Sequence, residues 1–190
     1  MKDKSIKSSE WNVIRRCAEG DSDSFKELYD MYKDRVFTTS VRMLGNLQDA
    51  EDTLQDTFIK IFKNINKFKW KSSFATWVYK ITVNTCIEHL RKRKKDGKIV
   101  DMDVYSDDIT DLSDKKSAGD FRMIVENEIS KLPEGYKTVF ILHAIEGFKH
   151  SDIADILGIS PGTSKSQFFR AKSQLRKNLL PYLEVLRNEL

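Results

Sequence analysis

Apolar residues recur at helical spacing along most of the chain, and no segment shows the strict alternation that is typical of a strand. Three series in the first half each define one buried helical face. They are Phe25, Leu28, Tyr29, Tyr32 and Val36; Leu54, Phe58, Ile61, Phe62 and Ile65; and Phe74, Trp77, Val78 and Ile81. Asp21 or Ser22 can cap the first of these helices, and Ser72 or Ser73 the third. The pattern predicts an all-α protein.

One acidic segment interrupts the pattern and predicts the main domain boundary. Residues 96–120 contain eight aspartates against three lysines, with too few apolar residues to form a core. Helical spacing then resumes in 121–132, 136–146, 150–157 and 161–180. The sequence therefore predicts two small helical domains joined by a flexible acidic linker. The predicted parts are a tail and first helix in 1–20, a first domain in 21–95, the linker in 96–120 and a second domain in 121–187.

Composition narrows the class of protein further. The formal net charge of +4 on 190 residues is only mildly basic. Cys17 and Cys86 lie far apart, which favours two buried thiols in a reducing compartment over a disulfide. Residues 1–10 are polar, and no stretch approaches the ~20 apolar residues that cross a bilayer. We expect a cytoplasmic protein without direct membrane insertion.

Catalytic chemistry has no candidate residues in this sequence. His89, His143 and His150 lack metal-ligand spacing and an evident carboxylate partner. No phosphate-binding glycine loop and no nucleophile motif occurs. We therefore expect no enzyme activity, no metal site and no cofactor.

Residues 151–163 have the spacing of a helix-turn-helix, whose second helix enters the DNA major groove. Gly158 suits the left-handed residue that ends the first helix. Ser160 and Pro161 suit the start of the second helix. The residues expected to point into the domain are Ile153, Ala154, Leu157, Ser164, Phe168, Ala171 and Leu175.

The opposite face of that second helix is basic. Between Thr163 and Leu180 there are five basic residues and no acidic one, which suits contact with phosphates. Arg170 could reach a guanine edge and Phe169 a thymine methyl group. A plain helical hairpin with a solvated basic face is the alternative, and an exposed phenylalanine fits that alternative poorly.

Two stretches of the first domain carry candidate chemistry. Asp52, Gln55 and Asp56 form an acidic patch opposite the apolar face of their helix, although an ordinary solvated helix would look the same. In 68–84 aromatic residues interleave with lysines, as on surfaces that bind single-stranded nucleic acid. Within that stretch Phe74 and Trp77 are easier to assign to a core than Trp70 and Tyr79.

The order of these motifs resembles the extracytoplasmic-function group of bacterial RNA polymerase sigma factors. Residues 25–95 are similar to the group's first domain, with an acidic DAE-D-x-x-Q-[DE]-x-F helix followed by F-x-TW-x-x-x-I, an asparagine and a basic LR tail. Residues 121–180 are similar to the second domain, with LP-x-x-x-[KR] and GT-x-[KR]-S-x-x-x-RA.

The resemblance implies a sigma factor that binds core RNA polymerase, directs it to promoter DNA and assists melting. It implies polymerase binding by Asp52, Gln55 and Asp56. The residues that it implies for melting and reading the downstream promoter element are Trp70, Lys71, Trp77, Tyr79, Lys80, Asn84, Arg91 and Arg93. Those that it implies for the upstream element are Thr163, Lys165, Ser166, Phe169, Arg170 and Lys172. The linker resembles a segment that threads the polymerase's nucleic-acid channel, and such sigma factors are commonly held by an anti-sigma factor.

The chain departs from the family pattern at several positions. Ser164 replaces the usual valine, Gln167 an arginine that is often present, and Glu88 a common aspartate. His150 and Ser151 replace an aromatic–acidic pair. A helix-turn-helix regulator with a helical sensing domain remains the competing class. It predicts a ligand pocket in the first half and a dimer that reads a palindrome.

Overall fold

The computed structural model describes the backbone of residues 2–95 and 118–188, and the side chains of 10–95 and 121–184. Both ranges are helical, and neither contains a strand. This confirms the predicted all-α class with two helical domains. The predicted linker 96–120 lies outside the described residues up to 117, and the next helix already begins at Ala118.

Four helices and one short 3₁₀ turn build the first domain. They are α1 (Lys2–Ala18), α2 (Ser22–Leu44), α3 (Leu47–Asn64), the 3₁₀ turn (Ile65–Lys67) and α4 (Phe74–Lys95). The predicted caps are confirmed: the Asp21 carboxylate accepts from the Asp23 amide at 3.0 Å, and the Ser73 hydroxyl from the Thr76 amide at 3.0 Å. Gly45 ends α2 at a φ of 67°, which a residue without Cβ adopts at little cost.

The second domain contains the helix-turn-helix in the predicted register. Its helices are α5 (Ala118–Ser130), α6 (Glu134–Phe140), a π-helical turn (Ile141–Ile145), α7 (His150–Leu157) and α8 (Pro161–Asn188). Gly158 ends α7 at a φ of 66°, and the Ser160 hydroxyl caps α8 by accepting from the Thr163 amide at 2.9 Å. Helix α8 continues through Pro181, although a proline predicts a helix end.

The α2–α3 packing corrects two burial predictions. Tyr29 is 38 % exposed and Phe62 60 % exposed, because both lie at the solvent rim of the seam between these helices. There Tyr29 packs on Phe58 and Phe62 on Phe25, with ring centroids 4.7 and 4.3 Å apart. The buried face of α3 instead consists of Ala50, Thr53, Thr57 and Ile61.

One buried apolar cluster joins the two domains, which the sequence pattern did not predict. Helix α4 packs against α7. From the first domain the cluster includes Met43, Leu44, Tyr79, Val83 and Cys86, and from the second Leu132, Val139, Leu142, Phe148, Ile153 and Ile156. Burial raises the pKa of the Cys86 thiol to about 12 and that of Cys17 to about 11. Both cysteines are free and buried, as predicted.

A buried carboxylate of the second domain makes several polar contacts with the first domain. The side chain of Glu146, 7 % exposed, accepts from the Arg35 guanidinium at 3.0 Å and the Thr39 hydroxyl at 3.0 Å. It also accepts from the hydroxyl of Tyr79. Burial of Tyr79, together with this contact, raises the pKa of its phenol well above the usual value. The phenol therefore stays protonated and donates to Glu146.

We predict that Glu146→Ala loosens the packing between the domains. The substitution leaves the buried hydroxyls of Tyr79 and Thr39 without an acceptor, which costs about 1–3 kcal/mol in the free energy of unfolding. Urea denaturation measures this loss. The control is Asp30→Ala, which removes an exposed ion pair with Lys33 and should cost less than about 1 kcal/mol. Equal losses in the two variants would contradict a specific role for Glu146.

Candidate functional site

One face of α4 carries four of the eight residues that the family resemblance implies for melting and reading the downstream promoter element. At about 100° per residue, Trp77, Lys80, Asn84 and Arg91 all lie within ~60° of one another on the helix surface. Lys80, Asn84 and Arg91 are exposed, and Trp77 is half-buried. The face thus combines an aromatic ring, an amide and two cations.

A groove of ≈ 410 Å³ runs between this face and α3. Its lining residues are Lys60, Asn64, Lys67, Trp77, Ile81, Asn84 and Glu88. The Lys60 ammonium donates to Glu88 at 2.6 Å and to the Thr85 hydroxyl at 3.0 Å. The Lys67 ammonium donates to the Asn64 amide oxygen at 3.0 Å. Two amides, an aromatic edge and two cations can together bind a polar planar ring with a phosphate attached.

Sequence reasoning missed three members of this groove. Lys60, Asn64 and Lys67 follow one another at i, i+4 and i+7, so a readable signal existed. This polar series was overlooked because it lies on the same helix and turn as the apolar series that ends at Ile65. Only the packing of α3 against α4 shows that these polar residues lie opposite Asn84.

The loop between the 3₁₀ turn and α4 presents Trp70 to solvent. Trp70 is 46 % exposed and has a φ of 58°, a region in which bulky side chains are rare. Its ring packs on Phe68 and on Trp11 of α1, with centroids 4.8 and 5.2 Å apart. Lys71 is exposed beside it.

Two residues expected on the DNA surface lie on the other side of α4. Tyr79 and Arg93 are rotated by about 200° and 160° from Trp77. Tyr79 is fully buried against Glu146 and Phe148. The Arg93 side chain is only 13 % exposed and pairs with Asp49 at 2.7 Å. Both side chains are held by packing partners in this structure, and the role in DNA binding that the resemblance implies for them stays a prediction.

The acidic residues of α3 form an exposed face of their own. Asp52, Gln55 and Asp56 all face solvent, as predicted, and the Asp56 carboxylate contacts the His89 ring at 3.2 Å. The same face continues to Ile59 and Phe62, which are 49 % and 60 % exposed. Exposed apolar side chains beside a polar rim are common in protein interfaces.

The outward face of α8 has the predicted composition. Its exposed residues include Thr163, Lys165, Ser166, Phe169, Arg170 and Lys172. Phe169 is 74 % exposed, and Arg170 donates to the Tyr136 hydroxyl at 3.1 Å. On the opposite side Ser164, Ala171 and Leu175 are buried and Phe168 half-buried, which confirms the predicted division of this helix.

Two departures from the family pattern are partners in the structure. The His150 ring is hydrogen-bonded to the Ser164 hydroxyl at 2.9 Å and stacks on His143 with centroids 4.1 Å apart. Burial, with the neighbouring His143 and Lys165, lowers the pKa of His150. A neutral ring therefore links α7 to α8 through Ser164, which replaces the valine usual in the family.

Neither a membrane-spanning helix nor a metal site occurs among the residues that the structure describes. No helix there is both long and apolar enough to cross a bilayer. No group of three or more His, Cys, Asp or Glu side chains there could hold a metal ion.

Comparison with protein families assigns both domains. The Sigma-70 region 2 family matches residues 28–96, and the Sigma-70, region 4 family matches residues 122–175. The two matches cover the acidic helix, the groove and the helix-turn-helix. Together they define a transcription-initiation protein with both regions in one chain.

Relatives match over nearly their whole length. The ECF RNA polymerase sigma factor SigW of Bacillus subtilis is 34 % identical over 177 residues, which cover 87 % of this chain and 94 % of SigW. The RNA polymerase sigma-H factor of Pseudomonas aeruginosa is 30 % identical, covering 90 % of this chain and 94 % of that protein. The sigma-E factor of Haemophilus influenzae is 28 % identical, with coverages of 90 % and 95 %.

Two solved structures share the fold. CnrH in complex with the cytosolic domain of CnrY has a TM-score of 0.65 at 21 % identity, covering 88 % of this chain and 94 % of CnrH. The sigma factor RpoE in complex with the anti-sigma factor NepR from Bartonella quintana has a TM-score of 0.67 at 24 % identity, with coverages of 82 % and 96 %.

The chain belongs to the ECF group of RNA polymerase sigma factors. Its function is that of a sigma factor in transcription initiation, with core RNA polymerase and promoter DNA as partners. The competing class, a helix-turn-helix regulator with a sensing domain, has no support because both halves of the chain match sigma-factor regions.

Proposed function

We propose that three separate surfaces of this sigma factor bind polymerase, the melted promoter strand and the duplex upstream element. The observation that carries the proposal is the α3–α4 groove, in which Trp77 and Asn84 lie opposite Lys60 and Lys67. Such a groove suits a single unstacked nucleotide.

Capture of a flipped base in the groove would assist melting. Extruding a base from the duplex costs a few kcal/mol, which a receiving pocket must offset. The Asn84 amide can both donate to and accept from a base edge, and Trp77 offers an aromatic surface. Lys80 and Arg91, exposed on the same face of α4, would neutralise the backbone phosphates on either side. Trp70 and Lys71 would extend this surface through the loop.

Docking on polymerase is proposed for the outer face of α3. Asp52, Gln55 and Asp56 supply polar contacts, and Ile59 and Phe62 supply exposed apolar area one to two turns away. A basic helix of the polymerase would complement the two carboxylates. Docking there leaves the groove free, because the groove is lined by a different side of α3.

Readout of the upstream element is proposed for the outer face of α8. Arg170 can bind a guanine edge bidentately, and Phe169 can contact a thymine methyl group. Thr163, Lys165, Ser166 and Lys172 would bind phosphates or neighbouring bases. The exposure of all six side chains supports this assignment.

The chain is proposed to act in the cytoplasm without catalytic activity of its own, as its relatives are sigma factors. An anti-sigma factor is proposed as a further partner. This is supported by the related folds of CnrH and RpoE, which were solved with CnrY and with the anti-sigma factor NepR.

Reversing one charge tests polymerase docking. We expect Asp56→Lys to weaken binding to core polymerase about tenfold, which corresponds to about 1.4 kcal/mol, since it places a cation where a carboxylate meets a basic partner. Fluorescence anisotropy with core polymerase measures this. The control is Asp34→Lys, an equal charge reversal at an exposed position of α2, which should bind like the parent. Equal affinities for all three proteins would contradict the assignment.

Two alanine variants separate the DNA surfaces. Arg170→Ala should cost about 1–3 kcal/mol in binding to duplex promoter if the side chain contacts a base edge. Asn84→Ala should leave the closed complex formed but reduce opening, measured by permanganate footprinting. A template with a mismatch bubble should restore part of the Asn84→Ala defect and none of the Arg170→Ala defect. The division of labour is wrong if both variants weaken closed-complex binding equally and neither changes opening.

The proposed inhibitor can be tested in cells. Affinity purification of the tagged chain from uninduced cells should recover a protein besides polymerase subunits. That protein should compete with core polymerase in a pairwise binding assay, because an inhibitor must cover a polymerase- or DNA-binding surface. Recovery of polymerase subunits alone would count against an anti-sigma partner.

A further inference from the structure

An exposed pair of tryptophans links α1 to the loop before α4. Trp11 is 48 % exposed and Trp70 46 % exposed, and their rings are tilted by 37° at a centroid distance of 5.2 Å. Residue 11 lies outside the matched sigma-70 region 2, which begins at residue 28. The family resemblance therefore assigns no role to Trp11.

Burial does not explain this pair, because α1 is anchored by other residues. Val13, Ile14 and Cys17 are at most 3 % exposed and belong to the core of the first domain. Trp11 lies beside them in the sequence and keeps about half of its surface in solvent. An exposed tryptophan pair on a helix that is already anchored offers area to a ligand with a flat apolar face.

Backbone strain points to the same place. Among the described residues other than glycine, Trp70 alone has a positive φ, at 58°. Residues in sparsely populated backbone regions concentrate at functional sites. Here the strained backbone brings the ring of Trp70 against Trp11.

The charge around the pair is suited to a polyanion. The Arg15 guanidinium lies 5.9 Å from the centroid of the Trp11 ring, and Lys69 and Lys71 are exposed on either side of Trp70. One carboxylate, that of Glu19, lies 3.9 Å from Arg15, and both of these side chains are largely exposed. The surface thus interleaves aromatic rings with cations.

The pair is continuous with the groove. Trp70 contacts Phe68 at a centroid distance of 4.8 Å, and Phe68 contacts Trp77, a groove residue, at 5.5 Å. All three tryptophans of the chain, Trp11, Trp70 and Trp77, belong to this series. Trp70 is thus connected to the groove residue Trp77 through the buried ring of Phe68, and the nucleotides next to a base held in the groove would extend over this ring toward the exposed pair.

We infer that Trp11, Trp70 and Arg15 form a second nucleotide-binding site, which stacks an unpaired DNA base next to the base held in the groove. The inference rests on the proposed base capture at Asn84 and deepens it. The ligand is single-stranded DNA, because base stacking on aromatic side chains tolerates any sequence but requires an unpaired base. Arg15 adds charge toward the adjoining phosphate.

The test measures the affinity of the full chain, assembled with core polymerase, for a fluorescein-labelled 12-nucleotide single-stranded DNA carrying the promoter's non-template sequence. We expect Trp11→Ala to weaken this binding about tenfold and Trp11→Phe to stay near the parent, because phenylalanine keeps a stacking face. Arg15→Gln should weaken it less and reduce its salt dependence. The control is Met31→Ala, which removes a side chain exposed to a similar extent, 41 %, on α2.

A spectroscopic readout shows whether the pair itself is contacted. The tryptophans are replaced by 5-hydroxytryptophan, which can be excited apart from the tryptophans of polymerase. Addition of the single strand should quench this fluorescence, and the quenching should fall in Trp11→Phe. Thermal unfolding of each variant by circular dichroism checks that the chain stays folded. If Trp11→Ala does not fold, Trp11→Phe and Arg15→Gln still test whether the pair contacts the single strand.

The outcomes separate this site from the groove. If Asn84→Ala weakens single-strand binding and folded Trp11→Ala does not, the second site is wrong while base capture in the groove stands. If Trp11→Ala weakens binding and Asn84→Ala does not, the second site stands and the groove proposal fails. If neither variant changes single-strand affinity, both are overturned. Weaker duplex binding in Trp11→Ala, with unchanged single-strand binding, would also overturn the stacking role.

Discussion

The buried carboxylate of Glu146 places the strictest polar constraint on the packing of the two domains, because it needs donors that only the first domain supplies. A carboxylate that is removed from water must be met by donors. Here α2 supplies Arg35 and Thr39, and α4 supplies Tyr79. The donors are fixed in position by the helices of the first domain, so the second domain can satisfy Glu146 in one orientation. The surrounding apolar cluster excludes water and strengthens these hydrogen bonds.

This contact divides α4 into two sides with different tasks. Tyr79, Val83 and Cys86 pack toward α7, while the opposite side presents Trp77 and Asn84 to the groove. Because the domains meet on the first side, their packing leaves the groove uncovered. The outward face of α8 is also exposed in this arrangement, with Phe169 74 % exposed. Packing and the proposed DNA recognition would thus use separate surfaces of the same helices.

Residue spacing and capping preferences correctly predicted those features that depend on contacts within one helix. Three features could be predicted from the sequence because each depends on residues within one or two helical turns. They are the helix caps at Asp21 and Ser73, the bounds of α7, and the separation of α8 into a buried and an exposed face. The burial of Tyr79 could not be predicted from its own helix, because its partner Glu146 is 67 positions away. The ion pair of Arg93 could not be predicted for the same reason, since its partner Asp49 lies on another helix. The groove depends on the packing of α3 on α4, which periodicity alone does not determine.

The residues that depart from the family pattern are explained by their hydrogen-bond partners in this structure. His150 stands at a usually aromatic position and Ser164 at a usual valine. Each satisfies the other by a hydrogen bond, so neither substitution leaves a buried polar group unpaired. Glu88 behaves similarly in the groove. Its carboxylate binds the Lys60 ammonium at 2.6 Å across the gap between α4 and α3, and an aspartate would be one methylene shorter on the same backbone. The glutamate therefore holds Lys60 at the groove, where its ammonium would lie near the phosphate of the nucleotide that is proposed to bind there.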